Sequence, residues 1–125
     1  MDADKQVEYW KGSAEEDFAA AESLLDSGHW RHCLFFAHLA IEKMLKAHVT
    51  RTTQDVPPRT HSLIRLIEIA GIELDVGRED FLREFGMYQL EGRYPDSEQL
   101  PLDPALTARE VAKAKEIFEW LSKQL

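Results

Sequence analysis

The sequence predicts an all-α protein, an up-and-down four- to five-helix bundle, and three observations predict it. Long stretches rich in Ala, Leu, Glu and Lys carry apolar residues at helical spacing. Strand-like alternation is scarce, and only five prolines and six glycines punctuate 125 residues. The third is the stretch from 33 to 48, CLFFAHLAIEKMLKAH, in which Cys33, Leu34, Phe36, Ala37, Ala40, Ile41, Met44, Leu45 and Ala47 cover about half of a helical circumference. That arc is wider than a surface helix needs. This helix is therefore expected to be touched on most sides, either as the centre of a bundle or as an element shared with a second chain.

The other elements follow from periodicity and end signals. Residues 4–27 place Val7, Trp10, Ala14, Phe18, Ala21, Leu24 and Leu25 on one stripe, closed by Gly28. Asp17 projects from that stripe, and a carboxylate there requires a cationic or hydrogen-bonding partner inside the bundle. The second helix runs from His29 or Trp30 to about Arg51, with His38, Glu42 and Lys46 following one another at i, i+4, i+8. Residues 52–60, with Pro57 and Pro58, form a loop. Thr60 or Ser62 then caps a short helix burying Leu63, Ile64, Leu66, Ile67 and Ala70, with His61 in its first turn and Gly71 at its end.

After a loop over 72–77, residues 79–91 form a fourth helix that turns Phe81, Leu82, Phe85, Tyr88 and Leu90 inward, weakened by Gly86 and ended by Gly92. Arg93, Tyr94, Pro95 and Asp96 then make a stiff polar turn. The last helix has two start signals, Asp103 before Pro104 and the pair Thr107 with Glu110. Its stripe is Val111, Ala114, Ile117, Phe118, Leu121 and Leu125, with Trp120 near the edge.

Length and composition fix the organisation and exclude some functions. A chain of 125 residues makes one domain, 1–125, with a single core. No run approaches the ~20 apolar residues of a membrane span, and the acidic start MDADKQVEYW is unlike a signal peptide, so a cytoplasmic protein is expected. The lone Cys33 reads as a small buried hydrophobe rather than half of a disulfide. A net charge of −8 argues against DNA and general nucleic-acid binding. The charge is uneven, however: residues 1–28 hold eight acids against Lys5 and Lys11, whereas residues 43–65 hold Lys43, Lys46, Arg51, Arg59 and Arg65 against Asp55 alone. Such a strip suits a nucleotide phosphate, a short RNA or the acidic face of a partner. His38 with Glu42 is half of a metal site at most, with no motif supplying the rest, so neither metal nor cofactor is expected.

Four stretches taken together resemble the HEPN domain family. They are AEEDF from Ala14 to Phe18, AIEKMLKA from Ala40 to Ala47, Thr60-His61-Ser62-Leu63 after the proline loop, and MYQLEGRYPD through Asp96. The resemblance covers nearly the whole chain and implies a helical bundle, usually a homodimer, often paired with a minimal nucleotidyltransferase in toxin–antitoxin-like systems. Many members are metal-independent ribonucleases that use an Arg and a His four to six residues apart, late in the bundle, the His as acid or base and the Arg on phosphate charge. This chain departs from that pattern. No His follows Arg93, and Arg31 with His38 matches the spacing only on the second helix.

The expected function is accordingly a binding module, with no catalytic residue assigned and ribonuclease activity as the alternative. Lys43, Lys46, His61, Arg93, Tyr94 and Asp96 are expected to gather around a groove that holds a nucleotide or a partner's acidic loop, with Asp17 and Glu42 orienting the cations. Phe35 and Leu39 are expected at the homodimer seam.

Overall fold

In the computed structural model, residues 1–90 and 102–125 are described, and among these the chain is helical with no strand. The helices are α1 (Ala3–Asp26), α2 (Trp30–Thr53), α3 (Leu63–Ala70), α4 (Val76–Phe85), α5 (Met87–Leu90) and α6 (Pro104–Lys123). The segment with Arg93, Tyr94 and Asp96 lies outside the described residues.

α2 is the centre of the bundle. It packs against α1, α3, α5 and α6, and Leu34, Ala37, Ile41, Met44 and Leu45 are wholly sealed from solvent. Cys33 is sealed with them; burial, and secondarily the negative charge of Glu22, pushes its thiol up to about 11, which makes it an inert packing group. α1 supplies Val7, Ala14, Phe18 and Ala21 to the same core, while Trp10, Leu24 and Leu25 are only partly covered. α6 closes the bundle through Val111, Ala114, Ile117, Phe118 and Leu121, with the Phe18 and Phe118 rings 4.8 Å apart.

Cross-helix contacts fix the direction of each element. Trp10 meets Lys46 and Asp17 meets Lys43, while Phe18 meets Phe118 and Glu22 meets Lys115, so α1 runs against both α2 and α6. Near the end of α2, the His48 ring lies 2.8 Å from the Leu121 carbonyl and the Arg51 guanidinium donates to the carbonyl of Leu125, so α2 and α6 run together. α4 begins beside Glu116 and Trp120, through Arg78, and ends with Phe85 stacked on His38. The longer helices thus alternate, α1 up, α2 down, α4 up and α6 down. Short α3 runs with α2, because the loop over 54–62 travels back along α2 first: His61 reaches Glu42, and Ala70 meets Thr52.

Element ends differ from expectation in instructive places. α4 starts at Val76, not at 79, because Asp75 caps it by accepting from the Arg78 amide. That amide bond, more than the nearby guanidinium, holds the Asp75 carboxyl below its usual range. Gly86 divides the expected fourth helix into α4 and the four-residue α5. α2 continues past Arg51 to Thr53 and closes on Gln54 in the left-handed region, φ 57°. Ser62, not Thr60, caps α3. Asp103 caps α6, leaving Thr107 buried, its hydroxyl donating to the Asp103 carbonyl.

Two outcomes follow. Truncating Leu45 to Ala at a wholly buried position should cost about 2–5 kcal/mol in urea unfolding; a loss below about 1 kcal/mol would mean that α2 is not the core. His48 is buried against Leu121, and desolvation lowers its pKa from the ordinary 6.5. Since the Leu121 carbonyl can only accept, Nε2 carries the hydrogen, and that bond offsets only part of the desolvation. On acidification the unfolded chain takes up a proton at His48 before the folded chain does, so this contribution is intact above about pH 6.5 and is lost as the pH falls. Stability of His48→Gln should therefore fall less steeply than wild type from pH 7 downward, and identical slopes would contradict the assignment.

Candidate functional site

The polar arc of α2 does not face water. Glu42 is only 3% exposed, and its two oxygens are taken by different elements. Oε2 accepts from the Lys46 ammonium at 3.0 Å, one turn on, while Oε1 accepts from His61 Nδ1 at 3.1 Å, across from the loop before α3. His38 Nδ1 lies 4.0 Å from the same Oε1. A carboxylate in this setting is tolerable only because cation and donors surround it. Lys46 is held further by the Trp10 ring of α1, 5.5 Å from its centroid.

A second cluster lies on the α1 side. The ammonium of Lys43 is 2.7 Å from Asp17 Oδ2 and donates to Ser13 Oγ at 2.8 Å. This pair explains how Asp17 can project from an apolar stripe: its partner comes from α2. Lys43 and Lys46, three residues apart, consequently do not lean over one groove. Each is matched to a carboxylate of its own.

The remaining predicted residue, His61, is one position before the Ser62 cap of α3 rather than in its first turn. Its ring bridges two environments. Nδ1 reaches buried Glu42, yet the side chain is 52% exposed and lines an open cleft of about 430 Å³ between α3 and the α4–α5 junction. Arg65 and Arg83 stand around the same cleft, with Glu68, Gly86 and Gln89. Among the described residues both arginines pair with acids on their own helices, Arg65 with Glu68 at 3.6 Å and Arg83 with Glu79 at 3.3 Å. Exposed pairs of this kind contribute little, so both guanidinium groups are available to an anion. Another groove, about 340 Å³, lies between α4 and α6, but its Arg78 is occupied by Asp75 and by the Trp120 ring.

Residues 7–125 match the family model of the HEPN domain. The chain belongs to the HEPN domain family. Among solved structures, TT1696 from Thermus thermophilus shares the fold with a TM-score of 0.81 at 18% identity, over 96% of this chain and 98% of that one. ST0689, described as an archaeal HEPN homologue, superposes with a TM-score of 0.74 at 20% identity, over 94% and 96% of the two chains. At such identities the likeness establishes fold alone. No functionally curated protein matches.

Within this HEPN bundle, the Arg31–His38 spacing is not an exposed pair. His38 is 1% exposed, lies nearly parallel to Phe85 and faces Glu42, which seals it from a substrate in the surrounding solvent. Sequence reasoning did not assign Arg83 or Gln89 to a site. Arg83 sits on the solvated face of α4, and only the return of the chain after residue 53 brings α3 opposite it. The segment carrying Arg93, Tyr94 and Asp96 follows Gln89 closely in the chain, beyond the described residues.

The Glu42–Lys46 pair yields a direct test. Glu42→Ala leaves the Lys46 ammonium uncompensated and should cost about 3–5 kcal/mol, whereas Glu42→Leu combined with Lys46→Met should recover most of it. Denaturation of wild type, Glu42→Leu, Lys46→Met and the double variant measures the coupling. Strictly additive losses would show that the two groups do not depend on each other.

Proposed function

We propose that this HEPN protein is a binding module that takes the phosphate of a nucleotide into the cleft between α3 and α4, acting as a homodimer with a minimal nucleotidyltransferase as partner. The observation that supports the reading is the set of groups at the cleft: Arg65 and Arg83, each paired to an exposed acid, and His61, tethered to a buried carboxylate. On a chain of net charge −8, this is a local cationic site. Arg93, Tyr94 and Asp96 are also assigned to ligand binding in this reading. Glu42 and Lys46 hold His61 from behind, while Lys43 pairs with Asp17 on the α1 side of α2. The guanidinium fork suits phosphate oxygens because it presents paired donors in a plane.

Titration calorimetry with ATP and GTP tests the reading. Replacing Arg65 and Arg83 together by Ala should weaken binding by about tenfold or more, the order expected for two charge-assisted hydrogen bonds. Unchanged affinity, or no nucleotide binding by the wild type, would remove this assignment. Sedimentation tests the assembly: a homodimer has twice the 14.4 kDa mass of the chain, and a monomer at all concentrations would contradict that part.

A further inference from the structure

We propose that Glu42 is a positioning residue that holds His61 in one tautomer, and that His61 Nε2 thereby accepts a hydrogen bond from a hydroxyl beside the ligand's phosphate. The preference would be for a ribonucleotide over the same nucleotide without its ribose hydroxyls, and it rests on the phosphate site proposed above.

The basis is the donor and acceptor arithmetic around one carboxylate. Glu42 Oε1 and His61 Nδ1 are 3.1 Å apart, and Oε2 is occupied by the Lys46 ammonium at 3.0 Å. A carboxylate beside an ammonium offers only lone pairs, so the hydrogen in the Glu42–His61 bond belongs to Nδ1. A neutral imidazole with its hydrogen on Nδ1 has a bare lone pair on Nε2. The ring geometry puts Nε2 on the side away from Nδ1, and the half-exposed ring lines the cleft. The cleft therefore combines two cationic donors, Arg65 and Arg83, with one acceptor. A fully ionised phosphate monoester without a ribose hydroxyl uses the donors alone. A phosphate ester with a free hydroxyl uses both.

Replacing Glu42 by Gln makes the dependence visible. The amide oxygen of Gln has to face the Lys46 ammonium, which can only donate, so the NH2 group turns toward His61. Nδ1 must then accept, and the ring hydrogen moves to Nε2. The tautomer inverts, and the acceptor at the cleft becomes a donor.

Two measurements test this. Imidazole nitrogen shifts from NMR, recorded where the rings are neutral, should show His61 in the Nδ1–H form in wild type and the Nε2–H form in Glu42→Gln. Calorimetry with AMP and dideoxy-AMP should then show a preference for AMP of about fivefold in wild type, the order of one neutral hydrogen bond, and none in His61→Phe. If Glu42→Gln does not fold, the wild-type spectrum and His61→Phe still decide. An Nε2–H tautomer in wild type that still binds AMP would overturn both the role of Glu42 and the acceptor role of Nε2, and would leave the phosphate site standing. An Nδ1–H tautomer with equal affinity for the two nucleotides would overturn the hydroxyl contact. An Nδ1–H tautomer with no AMP binding would instead overturn the phosphate site of the preceding section, and the ribose preference with it.

Discussion

Burying the carboxylate of Glu42 in the central helix is the constraint from which the arrangement of this bundle follows. A charge that is 3% exposed is tolerated only when its lone pairs are filled. Lys46 fills one side from within α2, as any i, i+4 pair could. The other side needs a donor from elsewhere in the chain, and His61 supplies it. That contact marks how far the loop over 54–62 travels back before α3 starts, and with Thr52 donating to the Ala70 carbonyl at the other end it sets α3 parallel to α2. α3 then faces α4, and the cleft between them is a consequence of the same requirement.

Charge in this chain is sorted into two kinds by packing. Lys43 and Lys46, the cations nearest the core, are matched to Asp17 and Glu42 and hold helices together. Arg65 and Arg83 pair across single exposed turns, where solvent screens the attraction. A ligand anion competes easily for the second kind and poorly for the first. In the proposed reading, recognition falls to the guanidinium groups at the rim, while Lys43 and Lys46 tie α2 to α1 and to the Glu42–His61 contact.

Much of the fold was legible because it depends on local patterns. The wide apolar arc of residues 33–48 announced a helix surrounded by neighbours, and α2 does pack against four other helices. Asp17 in an apolar stripe announced a cationic partner, which is Lys43. The misplaced boundaries have local physical causes: Asp75 caps earlier than the apolar pattern starts, and Gly86 interrupts α4 rather than merely weakening it. The cleft was less legible. His61 could be singled out from its place beside the proline loop, but Arg83 looks like any solvated residue until α3 is folded opposite it. No periodicity within α4 carries that information, because the contact is between elements and depends on the return path of the loop.

The most direct test of this account is a map of backbone amide NMR shifts during titration with AMP. The account predicts that the largest changes fall on residues 61–65 and 83–89, on both walls of the cleft, with the amides around Asp17 and Lys43 nearly still. Changes centred instead on Asp17 and Lys43, or on the groove between α4 and α6 at Asp75 and Lys113, would contradict it.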